Sequence, residues 1–123
     1  MVDLILTLKN GEDINIGLRR FAKQNEINNG FIIGAVGAIK EFQMVSHGRK
    51  GSVEKMTQKS KEFEVNAMSG KLYKRGPDLE IKVNVLISST GFTPLTGELL
   101  EGKAAGELQI TIRKIDLKKM IEA

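Results

Sequence analysis

The sequence predicts an α+β domain in which a largely antiparallel β-sheet packs against one N-terminal helix. Apolar residues recur at clear helical spacing in the segment of residues 12 to 26. Several later segments alternate apolar and polar residues with a period of two, which is typical of strands with one buried face. Short turns containing Gly, Asn or Ser separate these segments, and strands joined by short turns favour antiparallel pairing.

The N-terminal part of the chain is predicted to form a strand, a turn and the helix. Alternate leucines share one face of a strand over residues 2 to 9. Asn10-Gly11 predicts the turn. In the helix, Glu12 and Asp13 suit the positive N-terminal end, basic residues follow in later turns, and Asn28-Asn29-Gly30 ends it. The residues that give the helical spacing are Ile14, Leu18, Phe21 and Ala22.

The rest of the chain predicts further strands, for a total of six to eight. They are expected at residues 31–39, 41–47, 63–69, 79–87, 95–100 and 105–114. The first of them is predicted to be buried and is interrupted by glycines at positions 34 and 37. These glycines follow the helix, whereas a dinucleotide-binding loop needs its glycines before a helix. They therefore indicate a strand that bends or packs closely.

Composition excludes several classes of protein. The 123 residues contain no cysteine, which excludes disulfide frameworks, thiolate zinc sites and cysteine nucleophiles. The single histidine, His47, lies in a predicted polar turn over residues 47 to 52 with no identifiable orienting partner, so nucleophilic catalysis is not indicated. No membrane span, signal peptide or linker is evident, and we expect one cytoplasmic domain over residues 1–123.

The net charge of +4 is concentrated in one segment. Basic and acidic residues are equal in number over residues 1–43 and again over residues 62–123. Residues 44–61 contain one acidic residue, Glu54, and five basic residues, Arg49, Lys50, Lys55, Lys59 and Lys61. A localised basic segment predicts a polyanion partner, and these five residues are candidate phosphate contacts to DNA. The alternative is a solvated hairpin, since no aromatic residue lies among them to stack on bases.

Three carboxylates are candidate ligands for a metal ion. Asp78 and Glu80 are two residues apart in a predicted strand and share a face, and Glu98 lies on a later strand that could pair alongside. Converging carboxylates favour a hard divalent cation such as Mg²⁺, Ca²⁺ or Mn²⁺. The alternative is a solvated strand face on which Glu80 neighbours Lys82.

Several segments occur in a characteristic order along nearly the whole chain. They are Leu8-Lys9-Asn10-Gly11-Glu12-Asp13 before the helix, then residues 30–39, 63–70, 96–102 and 105–107. In this order they resemble the PPC domain family (plants and prokaryotes conserved). The resemblance implies a twisted, mostly antiparallel sheet packed with the helix, assembly as a homotrimer, and the DNA binding ascribed to prokaryotic members. Plant members also carry an AT-hook, but Lys74-Arg75-Gly76-Pro77 lacks its Arg-Gly-Arg-Pro core, so this route into the minor groove is not implied.

The same resemblance bears on the three carboxylates. Many prokaryotic members of the family that this sequence resembles have a His-x-His motif in the strand after a Gly-Pro-like turn and another histidine in a Gly-Gly-His-Leu motif. These three histidines are suited to binding zinc. In this sequence those positions match Asp78, Glu80 and Glu98. The replacement disfavours a zinc site of the family kind and leaves a polar pocket, either for a harder cation or lined by Lys82.

The sequence as a whole predicts a non-enzymatic, homotrimeric DNA-binding module that uses the basic segment. The alternative is a small-ligand or divalent-metal-binding protein, an enzyme included, with a pocket formed by Asp78, Glu80 and Glu98. A third hypothesis is a trimeric scaffold that binds another protein.

Overall fold

The computed structural model of the protein describes residues 2–48, 51–89 and 93–116. Its elements in chain order are β1 (Val2–Leu8), α1 (Ile14–Gln24), β2 (Asn29–His47), β3 (Val53–Gln58), β4 (Phe63–Arg75), β5 (Asp78–Ser88) and β6 (Leu95–Lys114). Every pair of neighbouring strands is antiparallel. The predicted class, an α+β domain with a largely antiparallel sheet, is confirmed.

The sheet closes on itself through its two long strands. Its strand order is β1-β6-β5-β4-β2-β3, and β6 also pairs with β2. The strands β2, β4, β5 and β6 therefore form a ring, while β1 extends from β6 and β3 extends from β2 at the two edges. Closure removes most free strand edges, and within the described chain the two edge strands β1 and β3 each keep one side unpaired.

The helix is shorter than the predicted range of 12 to 26, for local reasons at each end. The Asp13 carboxylate accepts a hydrogen bond from the backbone N–H of Ile16 at 2.8 Å, which makes Asp13 the N-cap rather than a helical residue. At the other end Glu26 adopts a φ of 52°, and the N–H of Ile27 donates to the carbonyl of Ala22 at 2.8 Å. This left-handed turn ends the helix at Gln24.

The core lies between the helix and the concave face of the closed sheet. The helix contributes Ile14, Leu18 and Ala22, all at most 2% exposed. Phe42 and Phe63 meet edge to face, with ring centroids 5.3 Å apart and ring planes at 87°. The largest fully buried side chains on strands are Leu8, Ile39, Phe42, Leu72, Ile87, Leu108, Ile110 and Ile112.

Four predicted strands form only two long strands. The segments 31–39 and 41–47 are both part of β2, and the segments 95–100 and 105–114 are both part of β6. Register shifts allow β2 to follow β6 around the curve of the sheet. Gly37, with a φ of 136°, allows β2 to approach β6 closely, because a Cβ there would lie 2.5 Å from the carbonyl oxygen of Glu107.

The expectation that residues 31–39 form a buried strand is wrong for the side chains on the outward face of that strand. Phe31, Ile33 and Val36 are 45%, 44% and 74% exposed. Ile5 on β1 is also exposed, and it pairs with Thr111 of β6, which in turn pairs with Gly34 of β2. The outer face of β1, β6 and β2 therefore presents a group of apolar side chains to solvent. We refer to these four residues, Ile5, Phe31, Ile33 and Val36, as the outer apolar patch.

Candidate nucleic-acid interface and polar depression

The basic segment forms the edge strand β3 and the connection that follows it. Lys55 lies in the middle of β3, opposite Val45 of β2, and Lys59 and Lys61 lie between β3 and β4. All three lysines are exposed. The other two candidate residues, Arg49 and Lys50, lie outside the described residues. The sequence did not single out β3 as a strand, because Val53 to Gln58 contains few apolar residues.

The ammonium groups of this segment are free to contact an anion. Within the described residues, the side chains of Lys55, Lys59 and Lys61 make no ion pair or hydrogen bond. Six residues of chain span at most about 20 Å even when fully extended, so the three charges lie within reach of one stretch of a polyanion. A lysine on an edge strand also discourages pairing with other strands, and this is a structural explanation for Lys55, which lies in β3.

The three candidate carboxylates do not come together within one chain. Asp78 and Glu80 lie at the start of β5, opposite Arg75 and Tyr73 of β4. Glu98 on β6 pairs with Asn84, which is six residues further along β5 than Asp78, or about 20 Å of strand. Within the described ranges, no group of three or more His, Asp or Glu side chains is arranged to hold a metal ion.

Glu98 instead lies in a shallow depression between the C-terminal end of β2 and the strands β5 and β6. The depression has a volume of about 270 Å³, and its polar lining comes from Ser46, His47, Lys82, Asn84, Thr96 and Glu98. The Nε2 atom of His47 is 3.6 Å from a carboxylate oxygen of Glu98, with the two side chains 61% and 24% exposed. One cation, one carboxylate, one imidazole and one amide therefore line the same surface, a set that suits a small polar ligand.

The sequence indicated Glu98 and Lys82 but not their neighbours. His47 was assigned to a solvated turn, whereas it is the last residue of β2 and lies beside Glu98. Asn84 carried no signal of its own. The positions of His47 and Asn84 beside Glu98 depend on the register of β2 and β5 against β6. A single sequence does not determine which residues of long strands pair.

An ion pair borders the outer apolar patch. The guanidinium of Arg113 donates two hydrogen bonds to the two carboxylate oxygens of Asp3, at 2.8 and 3.1 Å. These hydrogen bonds, chiefly, lower the pKa of Asp3 and raise that of Arg113. Arg113 is also opposite Phe31 in the pairing of β6 with β2. The ion pair therefore lies beside an exposed aromatic ring of the outer apolar patch.

Together these features define a small α+β domain with a closed antiparallel sheet, a basic segment that includes the edge strand β3, and no built metal centre among the described residues. The chain belongs to the family of the Plants and Prokaryotes Conserved (PCC) domain, whose family model matches residues 2–116. This is the PPC family that the sequence resembles. A search of curated proteins found no match.

Solved structures share the fold at low sequence identity. A metal-containing protein of Archaeoglobus fulgidus superposes with a TM-score of 0.79 at 16% identity, covering 93% of this chain and 79% of that one. A candidate DNA-binding protein of Bacteroides thetaiotaomicron gives 0.80 at 20% identity, with 93% and 79% covered. A plant- and prokaryote-conserved protein of Pyrococcus horikoshii gives 0.75 at 13% identity, with 94% and 80% covered. In the described part of this chain, no helix is long and apolar enough to cross a membrane.

Proposed function

We propose that the protein binds DNA as a homotrimer and that the basic segment contacts the phosphate backbone. One observation carries the proposal. An otherwise charge-balanced chain has its whole excess of +4 in residues 44–61, and the described lysines of that segment are exposed and unpaired along a sheet edge. The candidate DNA-binding protein of Bacteroides thetaiotaomicron has the same fold, which also supports the proposal of DNA binding.

The residue types of the segment determine how DNA would be bound. Lysine supplies a point charge to a phosphate, and no Phe, Tyr or Trp lies between residues 44 and 61 to stack on bases. Phosphate contacts fix the position of a protein on DNA but carry little sequence information. We therefore expect binding with weak sequence preference and strong dependence on salt.

The outer apolar patch supports self-association. Four exposed aliphatic or aromatic side chains on one sheet face are more than the scattered apolar residues of an ordinary surface. A second and third copy of the chain would cover them, as the family resemblance implies. Three copies would also present three basic segments around one axis, which multiplies the attraction to a polyanion.

Duplex binding measured by fluorescence anisotropy at several salt concentrations tests the DNA proposal. Replacing Lys55, Lys59 and Lys61 with glutamine should weaken binding at low salt. If these lysines contact phosphates, the variant should also lower the slope of log K against log salt by about 0.9 for each phosphate that is no longer neutralised. A control variant with Lys9, Arg20 and Lys71 replaced by glutamine removes the same charge from other exposed positions.

Equal slopes for the wild-type protein and the Lys55, Lys59 and Lys61 variant would refute the proposal, as would an equal loss in the control variant. Absence of duplex binding at low salt would also refute it. Light scattering coupled to size-exclusion chromatography tests the trimer separately. Val36→Asp places a charge in the outer apolar patch and should yield a monomer, whereas Lys9→Gln should leave the mass unchanged. A monomeric wild-type protein would overturn the trimer.

The divalent-cation site of Asp78, Glu80 and Glu98 stays a prediction, and it now requires residues of more than one copy. The pairing of Glu98 with Asn84 keeps it far along the strand from Asp78 in the same chain. If such a site exists, Mn²⁺ or Mg²⁺ should raise the melting temperature of the wild-type protein and not that of Glu98→Gln. Melting curves that are the same with and without Mg²⁺, Mn²⁺ and Ca²⁺ would contradict it.

A further inference from the structure

We propose that the cleft between the C-terminal half of α1 and the β4–β5 turn binds a small organic anion, a carboxylate or phosphate ester that carries an apolar portion. The cleft has a volume of about 650 Å³, which lies within the roughly 300–1,000 Å³ of ordinary ligand sites. Its lining comes from the helix, from the three residues that precede β2, from the end of β4, and from the β4–β5 turn and the start of β5. None of these residues belongs to the basic segment or to the depression around Glu98.

Three cations and one anion surround the cleft. Arg19 and Lys23 come from the helix and Lys74 comes from the end of β4, whereas Glu26 is the only acidic residue in the lining. In the described chain, the ammonium groups of Lys23 and Lys74 have no ion-pair or hydrogen-bond partner. Lys23 also suits the negative end of the helix, but this explanation does not extend to Arg19 or Lys74. The excess of positive charge selects an anionic ligand.

Arg19 is held in place for this role by two hydrogen bonds. Its Nε donates to the side-chain oxygen of Asn15 at 2.7 Å, and its Nη1 donates to the carbonyl of Leu79 at 2.6 Å. A guanidinium has five N–H donors, so three remain after these two contacts. A guanidinium whose direction is already fixed loses little side-chain entropy when it binds a carboxylate or phosphate.

Hydrogen bonds between backbone segments also fix the walls of the cleft. The backbone N–H of Lys74 donates to the carbonyl of Asn28 at 2.9 Å, which ties the end of β4 to the segment before β2. The bond from Arg19 to Leu79 ties the helix to β5 on the other side. The cleft is thus bounded by elements that are cross-linked to each other, as is usual for a preformed ligand site.

The floor of the cleft is apolar. Ala22 and Ile27, each 2% exposed, close its base, and the accessible apolar surface belongs mainly to Leu79 and Pro77 on the wall formed by the turn and β5. A simple inorganic anion would leave this surface unused, because only an apolar group displaces water from it favourably. The combination of a basic rim and an apolar floor therefore favours an amphipathic anion over phosphate or acetate alone.

Isothermal titration calorimetry with matched probes tests the inference. Octanoate and octyl phosphate should bind, acetate and inorganic phosphate should bind far more weakly, and octylammonium should not bind. Whichever of the two octyl anions binds more tightly identifies the preferred head group. Arg19→Gln should weaken binding of that anion about 10-fold to 100-fold, as expected for loss of a hydrogen bond between charged groups. Lys74→Gln should also weaken it and leaves the Arg19 hydrogen bond to Leu79 intact.

Two control variants separate the cleft from general surface charge. Arg20→Gln lies next to Arg19 and Arg75→Gln lies next to Lys74, and neither residue lines the cleft. Both should bind octanoate as the wild-type protein does. The inference is overturned if the octyl anions bind no more tightly than acetate and inorganic phosphate, if the controls lose as much affinity as Arg19→Gln, or if duplex DNA displaces octanoate. Octanoate binding with no DNA binding would uphold the cleft and refute the DNA proposal.

Discussion

Replacing Gly97 with alanine should destabilise the protein, because no space for a side chain exists where β6 meets β2. Gly97 lies in β6 next to Glu98, and a Cβ built on it would be 2.6 Å from the carbonyl oxygen of Val45. The methyl group of Met44 would be 3.0 Å away. Both neighbours belong to the buried part of β2, where Met44 and Val45 are at most 5% exposed.

The geometry sets the size of the effect. An ordinary contact of a Cβ begins at 3.4 Å, so the backbone of Val45 must retreat by about 0.8 Å, and a paired backbone cannot rotate aside as a flexible side chain would. Overpacking of this kind costs about 1–3 kcal/mol. For a domain of this length the loss corresponds to a fall of roughly 4 to 12 °C in melting temperature.

Thermal unfolding followed by circular dichroism at a fixed protein concentration measures this change. Thr96→Ala is the matched control, since it places alanine at the exposed neighbouring position of the same strand and should stay within about 0.5 kcal/mol of the wild type. The reasoning fails if Gly97→Ala melts within about 2 °C of Thr96→Ala, roughly the spread expected of a surface substitution. That result would mean that β2 and β6 are not packed as tightly beside Glu98 as the structure indicates.

Three further predictions test other parts of the fold. Asp13→Ala should lower stability to urea by about 1 kcal/mol through loss of the N-cap, and Asp13→Asn should retain most of it. Ile110→Ala, at a fully buried position, should cost about 2–5 kcal/mol in urea unfolding, and a smaller loss would contradict the core assignment. Arg113→Gln should raise the pKa of Asp3 in a carboxylate NMR titration. Because the folded pKa of Asp3 is below its unfolded value, its stabilising contribution is present above the unfolded pKa and is lost as pH falls through the folded pKa. An unchanged titration would contradict the ion pair.

Local patterns predicted the elements of this fold better than they predicted its pairings. The helix followed from apolar spacing, whereas its N-cap at Asp13 was not predicted, because Asp13 was assigned to the helix itself. The alternation of apolar and polar residues located β4 and β5 to within a few residues at most ends. Segments that break the alternation misled the prediction, since residues 31–39 combine an inward face with the exposed Phe31 and Val36. A run of apolar residues reports total hydrophobicity and not which face is covered.

The candidate metal site shows the same limit at the level of single residues. That Asp78 and Glu80 share a strand face was deducible, because side chains alternate along every strand. Which of the even-numbered residues of β5 lies beside Glu98 depends on register, and a shift of four or six residues along the strand leaves the face unchanged. The structure places Asn84 opposite Glu98. The shared strand face was therefore predicted correctly, whereas the residue opposite Glu98 was not.

Counting charged residues along this sequence identifies a basic site only where its cations lie close together in the chain. The basic segment stands out because its five cations lie within eighteen residues, whereas the cations of the cleft come from two segments that are each neutral in sum. Folding brings Lys74 to the rim that Arg19 and Lys23 already occupy. The two basic sites then lie at opposite ends of β2, because the cleft involves the residues before Asn29 and β3 pairs with Phe42 to His47. This separation is why variants at Lys55 and at Arg19 should act independently, and an effect of either variant on the other site would show that the two are coupled.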